Sequence, residues 1–137
     1  MLARREYSRL ELERKLAPHA ENPGQIPELL DDFERRGWLS EQRVATQIIA
    51  SRRRRFGTRR IAHEMREKGL SDDIVSATLP ALKDTELDAA RLVWRKKFNR
   101  APRSGAERAR QARFLQGRGF ALDTALRVIG EVKDDDS

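Results

Sequence analysis

The chain has 137 residues, of which 38% are hydrophobic and 37% are charged. This is the length of one ordinary domain, but the charged fraction exceeds the usual quarter, so we expect many thin elements rather than one thick globule. There is no cysteine, which excludes disulfides and thiolate metal sites, and the chain shows no membrane-length apolar run or signal peptide, so we expect a cytoplasmic protein.

The first third of the chain predicts three helices. Ser8 and Glu11 have the spacing of a capping box at the start of the first helix. Apolar residues recur at helical spacing over 26–36, which predicts a second helix that ends at Gly37. Ser40 begins a third helix, which runs into four consecutive arginines.

The middle of the chain repeats this pattern. Thr58 is predicted to cap a fourth helix, and Gly69 suits the left-handed position at its end. Ser71 or Asp72 begins the next helix. Thr85 is predicted to begin a separate helix after that one, so that this part of the chain also contains three helices.

The last part of the chain predicts two more helices. Ser104 and Glu107 form another predicted capping box, and the helix that follows ends at Gly119. A final helix begins near Leu122. We expect the terminal residues 134–137, with the sequence DDDS, to be frayed.

The apolar positions of these helices repeat along the chain. A shift of 49 residues superimposes Leu12 on Ile61 and Leu16 on Met65, and a further shift of 50 places Met65 on Leu115. Alternating strand patterns are absent. The sequence therefore predicts an all-α fold of three tandem three-helix repeats, with units at about 4–55, 56–101 and 102–137 and the last one truncated. Repeats of this kind stack into an elongated, curved helical array.

Residue patterns typical of catalysis or metal binding are not convincing here. His63-Glu64 would need a second histidine at position 67, which is Glu67. The segment Gly117-Arg118-Gly119 lacks the lysine and the spacing of a phosphate-binding loop. We therefore predict no enzyme activity, no metal and no cofactor.

Basic residues are concentrated in two blocks within a net charge of +7. Residues 52–70 contain eight basic and two acidic residues, and residues 91–118 contain ten and one. One such block is typical of a solvated helix face, but two at similar places in a repeat favour binding to an acidic partner such as nucleic acid.

Arginines within these blocks differ in what they indicate. Arg52–Arg55 follow a helix C-terminus, where cations are favourable by themselves, whereas Arg59 and Arg60 begin a helix, where they oppose its dipole and suggest an external anion. The predicted contact residues are Arg52, Arg53, Arg54, Arg55, Arg59, Arg60, Arg95, Lys96, Lys97, Arg103, Arg110 and Arg113.

Four segments of the chain, in this order, resemble the signature segments of the RecX family. They are ARREYSRLEL (3–12), RRGWLSEQRVA (35–45), FGTRRIAHEMREKGL (56–70) and FLQGRGFALDTAL (114–126). The resemblance extends over nearly the whole chain and implies three tandem three-helix repeats. The sequence departs from the family pattern at Ala20, Trp38, Val44 and Ala121-Leu122.

The resemblance also implies a function. RecX proteins bind the RecA recombinase, lie in the helical groove of its nucleoprotein filament and suppress its ATPase and strand-exchange activities, and so modulate recombination, DNA repair and the SOS response. The implied partners are the RecA filament, the single-stranded DNA within it and double-stranded DNA, with no membrane partner and a monomeric chain. The alternative is a stand-alone helical DNA-binding protein similar to helix-turn-helix regulators.

Overall fold

A computed structural model describes residues 5–135, and the side chains of residues 5–131. These residues form seven α-helices and two short 3₁₀ turns, and they contain no strand. The helices are α1 (Arg9–Leu16), α2 (Ile26–Arg35), α3 (Glu41–Arg52), α4 (Thr58–Glu67), α5 (Asp72–Lys97), α6 (Gly105–Gly117) and α7 (Leu122–Asp135). The predicted all-α fold is confirmed. Residues 134–135, predicted to fray, belong to α7, and residues 136–137 lie outside the described part.

Serine side chains begin four of the helices, as the sequence predicts. Ser8, Ser40, Ser71 and Ser104 each accept a hydrogen bond from the backbone N–H three residues later. Ser8 and Glu11 form the complete capping box. Glu107 differs from the prediction, because its carboxylate accepts from the N–H of Arg103 rather than from that of Ser104.

Helix α5 corrects one prediction. It continues without a break for 26 residues, so the separate helix predicted to begin at Thr85 does not exist. The Thr85 hydroxyl donates to the carbonyls of Ala81 and Leu82, at 3.2 and 3.3 Å, and therefore caps nothing. Pro80 lies within the helix without ending it. The helix is long because its two halves pack into two different cores.

Three hydrophobic cores follow one another along the chain. The first packs Leu12 and Leu16 of α1 against Ile26, Leu30 and Leu39. The second joins α3, α4 and the first half of α5, and the third joins the second half of α5 to α6 and α7. The apolar positions predicted from the repeat, Ile61, Met65 and Leu115, are almost completely buried. The unit boundaries at 56 and 102 remain a prediction, although the packing places α3 with the second core.

An ion pair fastens α7 to α5. The Arg91 guanidinium donates to both carboxylate oxygens of Glu131, at 2.8 and 2.9 Å. These hydrogen bonds lower the pKa of Glu131 below its ordinary value of 4.5. The carboxylate is therefore ionised more readily in the folded chain than in the unfolded one.

We expect the stability that this pair provides to be present above pH 4.5 and to be lost as the pH falls through the lowered pKa of Glu131. The variant Glu131→Gln should lose less stability than the parent chain when urea unfolding is compared at about pH 7 and about pH 3. Asp84→Asn, a change at an exposed carboxylate, is the control and should keep the parent's dependence. Equal losses in the parent and Glu131→Gln would contradict the prediction.

Candidate anion-binding groove

A basic groove lies where the C-terminal ends of α3, α5 and α6 meet. Its volume is about 260 Å³. It is lined by Val93 and by six residues that are charged or aromatic. Those residues are Arg54, Arg55, Lys96, Lys97, Phe114 and Arg118. We call this site the basic groove. Cations are locally favourable at all three helix ends, because the last turn of a helix carries partial negative charge.

Aromatic rings hold the cations of this region in place. The Phe56 ring lies against the guanidinium carbons of Arg60, Arg118 and Arg55, at 4.0, 5.5 and 5.6 Å from its centroid. The Phe114 ring lies 5.2 Å from the Arg118 guanidinium and 5.4 Å from the Lys97 ammonium. These distances are within the range of cation–π attraction. Arg118 thus lies between two rings that come from different parts of the chain.

Two of the predicted contact residues already form ion pairs within the protein. Arg52 pairs with Glu64 at 3.0 Å. Arg53 is largely buried, and its burial lowers the pKa of the guanidinium. It donates to the Leu82 carbonyl at 2.5 Å and lies 3.6 Å from the Glu86 carboxylate. Arg52 and Arg53 thus join α3 to the helices that follow, and their contact with a partner stays a prediction.

The start of α4 also differs from its prediction. Gly57, not Thr58, is the N-cap residue. Its N–H donates to the Arg118 carbonyl at 2.7 Å, and the N–H of Arg59 donates to the Gly119 carbonyl at 3.1 Å. The Thr58 N–H and hydroxyl both donate to the buried Glu86 carboxylate. The helix end is thus satisfied inside the protein, so its dipole no longer argues that Arg59 and Arg60 face an external anion.

Position supports a role for Arg60 more than for Arg59. Arg60 is exposed and covers the Phe56 ring next to the basic groove. Arg59 is also exposed, and its side chain contacts no carboxylate in the described part of the chain.

The remaining predicted contacts are exposed but lie apart from the groove. Arg95, Arg103, Arg110 and Arg113 form no ion pair with the described residues, and they do not line the groove. Of the twelve predicted residues, the structure brings together Arg54, Arg55, Lys96 and Lys97, with Arg60 adjoining them.

Sequence reasoning missed three residues of this region, Phe56, Phe114 and Arg118. The two rings were consistent with apolar helix faces, and both are indeed half-buried. Arg118 belongs to the second basic block and to the Gly117-Arg118-Gly119 segment, neither of which distinguishes it from the other cations. The available signal was its place in the Gly117–Gly119 turn, which repeats the Lys68-Gly69 turn after a shift of 50 residues.

His63 lies outside this groove and makes a local contact. Its Nε2 atom is 2.9 Å from a carboxylate oxygen of Glu67, one helical turn later. Residues 5–131 contain no group of three side chains placed to hold a metal ion. Nor do the described helices include one that is long and apolar enough to cross a membrane.

Comparisons with known proteins agree with the fold. A family model for the second three-helix domain of RecX matches residues 40–79, and one for the third three-helix domain matches residues 84–129. The chain belongs to the RecX family. The boundary between the two RecX domains falls within α5, which agrees with the two cores that share this helix.

Curated relatives support the same assignment. The regulatory protein RecX of Leptothrix cholodnii is 47% identical over 128 residues, which cover 93% of this chain and 82% of the relative. That of Chromobacterium violaceum is 43% identical over 136 residues, which cover 99% and 88%. That of Ralstonia nicotianae is 42% identical over 128 residues, which cover 93% and 80%. RecX proteins are regulatory proteins rather than enzymes, which confirms the prediction for this chain.

Proposed function

We propose that this chain binds RecA nucleoprotein filaments and inhibits the ATPase and strand-exchange activities of RecA. Membership of the RecX family supports the proposal. The structural observation that carries it is the convergence on one groove of cations from three helix ends, none of which forms an ion pair with a described side chain. A nucleoprotein filament offers phosphate groups and carboxylates, and such a groove is complementary to either.

The direct test is the DNA-dependent ATPase of RecA, measured with this chain at substoichiometric amounts. We expect inhibition that weakens as salt rises, because contacts of cations with phosphate release counterions and depend steeply on ionic strength. Co-sedimentation with RecA filaments provides a separate measurement of binding. Absence of both inhibition and filament binding would exclude the proposed function.

The variant Arg59→Ala/Arg60→Ala should require about tenfold more protein for the same inhibition, because charge-assisted contacts are lost while the backbone of α4 is unchanged. Helix content by circular dichroism should stay at the parent level. Arg14→Ala/Arg66→Ala removes two exposed arginines elsewhere and is the matched control. Unchanged inhibition by the first variant would show that Arg59 and Arg60 have no part in binding.

A stand-alone DNA-binding regulator is the alternative. A helix-turn-helix protein places its base contacts on one recognition helix, whereas the cations of the basic groove come from three helix ends. Tight binding to one duplex sequence in the absence of RecA, combined with no effect on the RecA ATPase, would favour the alternative.

A further inference from the structure

We infer that the basic groove binds a phosphodiester backbone, that Arg118 is its central contact, and that Phe56 positions the arginines around it. This inference deepens the proposed function and rests on it, since the filament is what would supply the nucleic acid. It assigns individual roles to residues of a groove that the sequence alone did not identify.

Crowding of like charges is the first argument for an anion. Three guanidinium groups surround the single ring of Phe56, all within 6 Å of its centroid. The side chains of Arg55, Arg60 and Arg118 contact no carboxylate in the described part of the chain. Guanidinium groups gathered in this way repel one another, and a bound anion relieves that repulsion.

Arginine geometry is the second argument. A guanidinium that stacks on a ring uses its flat face for that contact, so its N–H edges stay available to donate. Those edges form a planar fork that matches two oxygens of one phosphate or carboxylate. Arg118, with rings of Phe56 and Phe114 beside it, is therefore arranged in advance for an oxyanion.

The make-up of the groove favours nucleic acid over an acidic protein. Interfaces between proteins are depleted of charged residues at their cores, whereas interfaces with nucleic acid are strongly positive. The described side chains that line the groove include five cations and no carboxylate, beside Val93 and Phe114. This excess of positive charge is typical of an interface with nucleic acid.

The position of the site links binding to the contact between α4 and the turn after α6. The backbone carbonyl of Arg118 accepts a hydrogen bond from the N–H of Gly57. The Arg118 side chain lies over the ring of Phe56, the residue before Gly57. A phosphate held between Arg60 and Arg118 would bridge the two elements. Bound nucleic acid should therefore raise the thermal midpoint of the chain, by an amount that grows with the logarithm of ligand concentration once that concentration exceeds Kd.

The experiment measures binding of a labelled single-stranded oligonucleotide to the chain in the absence of RecA, over a series of salt concentrations. Arg118→Gln should weaken binding by about tenfold and reduce the slope of log K against log salt by about one. Arg66→Gln removes the same charge from an exposed site outside the groove and should have a much smaller effect. Equal effects of the two variants would overturn the role of Arg118.

The positioning role of Phe56 has its own test. Phe56→Leu keeps an apolar side chain but removes the ring, and it should weaken binding by about threefold. Phe56→Tyr restores the ring face and should restore the affinity, which a merely structural role would not require. If the leucine variant binds as well as the parent, or the tyrosine variant as poorly as the leucine one, the ring does not position the arginines.

Competition by polyglutamate distinguishes the two sources of anion. The inference expects an oligonucleotide to bind far more tightly than polyglutamate of equal charge, and Arg118→Gln to reduce that difference. Equal affinities would identify the groove as a site for acidic protein and overturn the assignment. Because RecA is absent, failure here leaves the proposed function intact if the parent chain still inhibits the RecA ATPase.

Discussion

Glu86→Ala will lower the free energy of unfolding by about 3 kcal/mol, because it breaks a buried ionic and hydrogen-bonded cluster. Glu86 is 9% exposed. Its carboxylate lies 3.6 Å from the Arg53 guanidinium and accepts from both the N–H and the hydroxyl of Thr58. Without it, Arg53 keeps its burial but loses its counter-charge, and the first turn of α4 loses its acceptor.

Urea unfolding followed by circular dichroism measures this loss. Asp84→Ala, two residues earlier on the exposed side of α5, is the matched control and should change stability by no more than about 0.5 kcal/mol. A double-mutant cycle with Arg53→Ala should show strong coupling between Arg53 and Glu86. If Glu86→Ala were no more destabilising than Asp84→Ala, the cluster would not hold α3, α4 and α5 together.

Gly119→Ala will destabilise the chain by about 3 kcal/mol, since it combines an unfavourable backbone angle with a clash against backbone atoms. The φ angle of Gly119 is +95°, and an added Cβ would lie 2.7 Å from the backbone nitrogen of Arg60 and 2.5 Å from its Cβ. Either α4 or the turn after α6 must move. Such a movement would also separate Arg118 from Phe56, so nucleic-acid binding should fall with stability.

Two other glycines separate these causes. Gly37 has a φ angle of +74° but open space around it, so Gly37→Ala reports the backbone angle alone and should cost about 1 kcal/mol. Gly117 lies in α6 with open space around it, and Gly117→Ala should be neutral or stabilising, because alanine is the better helix former. If Gly119→Ala lowers the free energy of unfolding no more than Gly37→Ala does, the close approach of α4 is not the reason that position 119 requires glycine.

Local chemistry made most of the fold predictable from sequence. The cap of a helix depends on residues three apart, and an apolar stripe depends on residues three or four apart. Ser8, Ser40, Ser71 and Ser104 therefore marked helix starts correctly, and the repeat in apolar positions located the buried faces. Thr85 shows the limit of this reasoning, because its hydroxyl can serve either a cap or the preceding turn of a helix.

The sequence predicted that the candidate site is positively charged, but it did not predict where in the fold the charges meet. Two basic blocks are visible in the composition of the chain, and they include all five cations that line the groove. Nothing local distinguishes Arg54 from Arg53. The first is exposed, whereas the second is held by Glu86, Leu82 and Thr85, which lie about thirty residues further along the chain.

The sequence by itself determined the helical class, the capped helix starts, the repeated apolar faces and the positive charge, because each of these depends on neighbours along the chain. Only the tertiary structure decided which arginines are free, why the start of α4 needs no anion, and where Arg118 meets Phe56. Those outcomes depend on atoms that folding brings together from separate helices. Burial and the ion pair with Glu86 engage Arg53 inside the protein, while the rings of Phe56 and Phe114 lie beside Arg118 in the groove.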